Sequence, residues 1–68
     1  MMYLLSERNN MNYLLQIKIE ENLEWRVYEM SKGYAAALWD LDSDHNVGMV
    51  IFPEEIKALE YAKEMAAK

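Results

Sequence analysis

Residues 47–68 read VGMVIFPEEIKALEYAKEMAAK, a short apolar run, a proline and then a longer segment of mixed polarity. The run Val47–Phe52 is typical of a strand that is buried on both faces or paired centrally in a sheet. Pro53 cannot extend a strand ladder but suits the first turn of a helix. Glu54 and Glu55 follow, where negative charge meets the positive end of the helix dipole. The segment therefore predicts a strand that leads into a helix beginning at Pro53.

The predicted C-terminal helix is amphipathic. Its apolar face consists of residues at helical spacing, namely Ile56, Leu59, Ala62 and Ala66, with Ala58 and Met65 at the flank. Its polar face consists of Glu54, Lys57, Glu60, Lys63, Glu64 and Lys68. A helix with one apolar stripe packs that stripe against a core. We therefore expect this helix to lie across one face of a sheet.

The clearest strand pattern in the chain begins at Tyr13. Every second residue is apolar, namely Tyr13, Leu15, Ile17 and Ile19, whereas the alternate positions Gln16, Lys18 and Glu20 are polar. A period of two residues is typical of a strand with one face in the core. The pattern predicts that the four apolar side chains share one face.

Two further strands are predicted between residues 24 and 42. In the strand Glu24–Met30, alternation places Trp25 and Val27 on one face and Arg26 and Tyr28 on the other. In the strand from Tyr34 to Asp42, the two alternating sets are Ala35, Ala37, Trp39 and Leu41, and Tyr34, Ala36, Leu38 and Asp40. Aromatic side chains thus fall on both faces of the sheet.

Polar turn segments separate the strands. They are Glu20–Asn22, Ser31–Gly33 and Ser43–Asn46. Short turns join antiparallel neighbours, and Gly33 can take a positive φ without steric cost. We expect an α+β fold in which hairpins build an antiparallel sheet of three to five strands, with the C-terminal amphipathic helix packed on one face.

Two interpretations remain open for residues 1–10. The sequence Met1–Leu5 returns almost unchanged as Met11–Leu15, with a polar segment between the two copies. Residues 1–10 therefore contain a short edge strand and its loop, or they form an extension to a domain that begins at Met11. In both cases residues 11–68 form a single domain of sheet and helix.

The composition excludes several classes of function. The chain has 68 residues and no cysteine, which allows one domain and excludes a disulfide framework, a thiolate metal centre and a thiol nucleophile. Its formal charge is -5, the wrong sign for binding phosphate backbones or anionic lipid. No apolar stretch approaches the roughly 20 residues of a membrane-spanning helix. We expect a cytoplasmic protein that contacts neither membrane nor nucleic acid directly.

Three carboxylates between residues 40 and 44 invite comparison with a calcium loop. An EF-hand loop beginning at Asp40 requires glycine at its sixth position and glutamate at its twelfth, where this chain has His45 and Ile51. Our interpretation is that Asp40 and Asp42 share the solvent face of a strand and that Asp44 belongs to a turn. Weak binding of a divalent cation is the alternative, and no metal or cofactor is predicted.

The sequence contains little that could carry catalysis. His45 is the only histidine, and Ser43, Asp44 and His45 are consecutive, whereas a catalytic triad is assembled from separated positions. Two glycines in the whole chain form no phosphate-binding loop. We expect no enzymatic activity.

Acidic and aromatic residues together indicate a protein-binding role. The candidate partner-binding residues are the carboxylates Glu20, Glu21, Glu24, Asp40, Asp42 and Asp44 and the aromatic anchors Trp25, Tyr28 and Trp39. Negative charge steers association with a basic surface, and buried aromatic anchors supply affinity. The sequence therefore predicts a small interaction protein that blocks or regulates a larger basic protein, as a nucleic-acid mimic where that protein binds nucleic acid. The alternative is a homodimeric module that associates through an exposed aromatic sheet face.

Overall fold

The strands of the sheet lie side by side in the order in which they occur along the chain. The computed structural model describes residues 13–68, and the alternatives for residues 1–10 fall outside this range. All neighbouring strands pair antiparallel, and the elements are β1 (Leu15–Glu20), β2 (Leu23–Met30), β3 (Gly33–Asp40), β4 (His45–Phe52) and α1 (Glu55–Ala66). This confirms the predicted α+β fold. With twelve residues, α1 is too short to cross a bilayer, and no other helix occurs between residues 13 and 68.

One face of the sheet packs against α1 and forms the main core. Val27 and Ala36, paired across β2 and β3, are fully buried beneath the equally buried Ala58 and Ala62 of the helix. Trp25 packs beside them, with its ring centre 5.8 Å from that of Tyr61 in an edge-on arrangement. Small alanines on the helix let it approach the sheet closely, so the large rings fill the flanks of the interface.

The helix differs from the prediction in its first residue and in one core position. It begins at Glu55, because Glu54 at the N-cap keeps an extended backbone (φ -123, ψ 141) and Pro53 precedes it. Ile56, predicted to face the core, is 58% exposed. The buried face is centred on Ala58, and two residues correspond to roughly 200° around a helix, so Ile56 points away from the sheet.

The prediction that Tyr13 shares a face with Leu15 and Ile17 is wrong. Leu15 and Ile17 pack in the core beneath α1, whereas Tyr13 packs against Tyr28 on the opposite face. The chain bends at Leu14, whose N–H donates to the Val27 carbonyl at 2.7 Å. The bend interrupts the alternation of side chains just before β1 begins. We call the sheet face opposite α1 the distal face.

The turn between β3 and β4 comes earlier than predicted. β3 ends at Asp40, and the Asp40 carboxylate accepts a hydrogen bond from the Asp42 N–H at 3.0 Å. The Asp44 N–H donates to the Asp40 carbonyl at 2.8 Å, and Asp44 has a φ of 59°. Asp42 therefore lies in the turn and does not share a strand face with Asp40, whereas His45 opens β4.

In the sheet formed by residues 13–68, β4 lies at an edge, contrary to the predicted central or doubly buried position. Within residues 13–68 it pairs with β3 alone. Its residues from His45 to Ile51 are exposed, including Val47 at 60% and Ile51 at 44%, whereas Phe52 is half-buried. The ladder is irregular between Leu38 and Trp39, where Val47 is the extra residue of β4. A run of apolar residues predicts a strand, but the meander order places this last strand at the border of the sheet.

Candidate functional site: the acidic end and the distal face

Two turns lie side by side at one end of the sheet and bring together acidic residues from separate parts of the sequence. Leu23 at the start of β2 pairs with Asp40 at the end of β3, and the Leu41 N–H donates to the Asn22 carbonyl at 2.8 Å. The β1–β2 turn and the β3–β4 turn are therefore neighbours. We call this region the acidic end; its carboxylates are Glu20, Glu21, Glu24, Asp40, Asp42 and Asp44.

The carboxylates of the acidic end differ in how accessible they are. Glu20, Glu21, Asp42 and Asp44 are exposed, whereas Asp40 and Glu24 are half-buried. Asp40 accepts a hydrogen bond from the turn backbone, which orders the turn. Four of the six carboxylates are therefore accessible from solvent.

Glu24 is engaged within the sheet. Its Oε2 accepts hydrogen bonds from Arg26 Nε at 2.7 Å and from Gln16 Nε2 at 3.0 Å. Burial alone would raise the pKa of Glu24, but these hydrogen bonds and the charges of Arg26 and Lys18 bring that pKa below its usual value. Glu24 is therefore ionised and paired, and it is the member of the acidic end least available to a partner.

Arg26 stands between two aromatic rings on the distal face. Its guanidinium carbon lies 5.0 Å from the Tyr13 ring centre and 4.9 Å from the Trp39 ring centre, within the range of cation–π attraction. Its Nη1 also donates to the Tyr13 hydroxyl at 3.2 Å. Burial opposes the charge of Arg26, but Glu24 and Tyr13 outweigh it and raise the pKa of the guanidinium.

Two of the three predicted aromatic anchors are buried. Trp25 is 6% exposed and lies in the core under α1, so it is not accessible to a partner. Tyr28 is 5% exposed on the distal face, where its ring meets that of Tyr13 edge-on at 5.8 Å. Burial and the neighbouring Tyr13 raise the pKa of the Tyr28 hydroxyl. Each of these rings is a packing residue in this fold.

Trp39 is the predicted anchor that remains partly exposed. It lies on the distal face, opposite Glu24 and next to Asp40, and so borders the acidic end. Its indole Nε1 is buried and has no hydrogen-bond acceptor among residues 13–68. Burial raises the pKa of the Tyr28 hydroxyl, and the nearby indole of Trp39 acts in the opposite direction. The indole N–H nevertheless forms no hydrogen bond with that hydroxyl.

The exposed apolar surface is aliphatic, which sequence reasoning missed. Large exposed apolar residues of β4 are Val47, Met49, Val50 and Ile51. No aromatic residue between positions 13 and 68 belongs to the exposed group, because the rings pack on one another and on alanines. The signal in the sequence was the absence of any charged side chain from Asn46 to Phe52 in the last strand of a meander.

The carboxylates do not converge on a metal site. No group of three or more Asp, Glu or His side chains in the described part of the chain is arranged to hold a metal ion. His45 pairs with Asp40 across β3 and β4 and is exposed. The acidic end therefore presents its carboxylates spaced over a surface.

Comparison with known proteins adds no further constraint. No family model matches the chain, and no curated protein or solved structure is significantly similar to it. Residues 13–68 form a small α+β domain in which a four-stranded antiparallel meander carries one C-terminal helix.

Proposed function

We propose that this protein is a non-enzymatic interaction protein that binds a basic surface of a larger protein through its acidic end and thereby blocks or regulates it. The observation that carries the proposal is the Leu41–Asn22 backbone hydrogen bond of 2.8 Å, which joins the two acidic turns. Carboxylates separated by some twenty positions in sequence thus form one surface. A single turn would present only half of this charge.

Charge and shape favour a basic protein as the partner. The four exposed carboxylates belong to a chain with a net charge of -5, so long-range attraction raises the rate of encounter with a basic surface. Trp39, at the border of the acidic end, is a partly exposed ring whose accessible part can contact the partner. At many interfaces, charged residues raise the rate of association and a few aromatic residues supply most of the affinity.

The partners that fit best are proteins whose basic groove binds nucleic acid. Carboxylates spaced along two adjacent turns carry the same sign as phosphates and can occupy such a groove. Basic grooves of this kind gain affinity from several contacts with negative charge, and that affinity falls steeply with salt. Because the chain has no cysteine, we propose the cytoplasm as the compartment where this occurs.

A capture experiment with matched variants tests the proposal. Tagged full-length protein is incubated with lysate of the source cells, and bound proteins are eluted with increasing salt and identified. The test variant is Asp42→Asn with Asp44→Asn, because asparagine also tolerates the positive φ of Asp44. The control is Glu60→Gln with Glu64→Gln, which removes the same amount of charge from the exposed surface of α1.

We expect a basic protein in stoichiometric amount that is released by salt, retained by the control and lost with the test variant. The captured protein is then purified, and its binding to an oligonucleotide is measured as this protein is added. If this protein displaces the oligonucleotide, the result supports the proposal that it mimics nucleic acid. Equal capture by the two variants contradicts a role for the acidic end, and a partner whose nucleic-acid binding is unchanged contradicts the blocking mechanism.

A further inference from the structure

The two edges of the described sheet are built differently. β1 carries Lys18 and Glu20 on its exposed edge, and its ladder with β2 is irregular between these residues. Charged side chains and bulges are the usual protection of an edge against further strand pairing. β4 from Gly48 to Phe52 has no charged residue, pairs regularly with β3 and is paired on one side only within residues 13–68.

We infer that β4 pairs with β4 of a second copy of this chain, antiparallel about a twofold axis, so that the four described strands of each copy join in one continuous sheet. The sequence predicted self-association through an aromatic face, but the exposed apolar side chains lie along this strand. An antiparallel strand is self-complementary, because a twofold rotation places its unpaired N–H and C=O groups opposite their counterparts. The inference does not depend on the acidic end.

The lack of charge along this edge favours a second copy over a basic partner. The chain carries a net charge of -5, yet residues 46–52 contain no ionised group at neutral pH. A basic partner gains nothing from an uncharged edge, whereas two copies of the strand meet without like-charge repulsion in the paired segment. The acidic end remains a separate surface.

The side chains specify a register centred on Val50. In that register Met49 of each copy lies opposite Ile51 of the other on the distal face, because both residues pair with the distal-face alanines of β3. Met49 and Ile51 are 37% and 44% exposed in the single chain. The twofold axis generates two Met49–Ile51 contacts, and each contact shields both side chains from solvent. Cross-strand aliphatic pairs of this kind are the unit of sheet stabilisation.

The opposite face of the pair fits as well. Gly48 lies opposite Phe52 of the second copy, and a Cβ at Gly48 meets no atom within 4 Å. An aromatic ring beside a glycine on the neighbouring strand shields the exposed backbone at that position. In this register, Gly48 therefore leaves room for the Phe52 ring of the second copy.

Sedimentation with a matched pair of variants tests the inference. Full-length protein is studied from about 1 µM to about 1 mM, where weak dimers dissociate measurably. Ile51→Lys places a charge on the β4 edge, and Ile19→Lys makes the same change at the β1 edge, where the side chain is 36% exposed. We expect a concentration-dependent dimer that Ile51→Lys weakens by about tenfold or more and that Ile19→Lys leaves unchanged. Monomer at every concentration, or equal effects of the two variants, overturns the inference.

Cysteine cross-linking supplies a second measurement that does not depend on the stability of the lysine variant. The chain has no cysteine, so single substitutions report one position each. Residues directly opposite in an antiparallel pair have Cα atoms about 4.5–5.5 Å apart, within reach of a disulfide. We expect Val50→Cys to form a disulfide-linked dimer under mild oxidation much faster than Ile19→Cys. Equal rates, or faster linkage at residue 19, overturn the proposed pairing.

Discussion

The guanidinium carbon of Arg26 lies 4.9 Å from the ring centre of Trp39, and the same side chain forms an ion pair with Glu24 at 2.7 Å. Arg26 and Glu24 are only 16% and 13% exposed as side chains, so this pair is shielded from solvent. The half-buried guanidinium of Arg26 thus contacts a ring on each of two sides and a carboxylate on a third, and it links these groups across the distal face. The surface next to the acidic end depends on this arrangement.

We predict that Arg26→Ala destabilises the fold by about 2–3 kcal/mol, because it removes two cation–π contacts and leaves Glu24 half-buried without its partner. Arg26→Lys is expected to cost about 1 kcal/mol, since lysine keeps the charge and loses the planar stacking. Urea unfolding followed by circular dichroism measures both changes. Lys32→Ala, at an exposed turn residue, is the control and should stay within about 0.5 kcal/mol. Equal costs for Arg26→Ala and Lys32→Ala would contradict the role of Arg26.

The two glycines are expected to respond oppositely to alanine. Gly33 has a φ of +144°, and a Cβ there would lie 2.4 Å from the Phe52 carbonyl oxygen. Gly33→Ala should therefore cost about 1–3 kcal/mol or more. Gly48→Ala, with open space around its Cβ, should stabilise the strand by about 0.5–1 kcal/mol when the protein is dilute enough to be monomeric. Thermal unfolding of both variants measures these changes in stability. A smaller loss of stability for Gly33→Ala than for Gly48→Ala would refute the prediction.

The contact between helix and sheet is predicted to tolerate no larger side chain at Ala62. This residue is fully buried against the sheet. Ala62→Leu should cost about 1–3 kcal/mol, because the added atoms force the helix away from Val27 and Ala36. Ala67→Leu, at the exposed C-cap, makes the same chemical change outside the core and should be nearly neutral. Denaturant titration compares the two, and similar midpoints would show that the helix packs differently.

Acid is expected to remove the contribution of Glu24 to stability. Burial would raise the pKa of Glu24, but hydrogen bonds from Arg26 and Gln16 lower it below the unfolded value. The contribution is therefore fully present above the unfolded pKa and is lost as the pH falls through the folded pKa. Glu24→Gln should cost about 1 kcal/mol at neutral pH and progressively less as the solution becomes acidic.

The control for this pH dependence is Glu29→Gln, on the same strand at an exposed position. Melting temperatures are measured over a series of pH values for the wild type and both variants. The wild type and Glu24→Gln should converge in acid, while Glu29→Gln should follow the wild type throughout. A constant difference between wild type and Glu24→Gln would exclude the proposed linkage.

Features that depend on neighbours along the chain were predictable. The alternation in β2 and β3, the glycine turn at Gly33 and the amphipathic α1 each follow from the spacing of apolar and polar residues within a few positions. The predicted hairpins and helix, and the separation of Trp25 from Arg26 onto opposite faces, agree with the structure. Local sterics and side-chain period were sufficient for these.

Tertiary structure decided the features on which function depends. The meander order placed β4 at an edge, a bend at Leu14 turned Tyr13 to the distal face, and packing buried Tyr28. Asn22 and Leu41 became hydrogen-bonded neighbours only because β2 and β3 pair along their whole length. Periodicity tells which way a side chain points from its own strand. It carries no information on which strand lies beside it. That pairing assembled the acidic end and, within residues 13–68, left β4 paired on one side only.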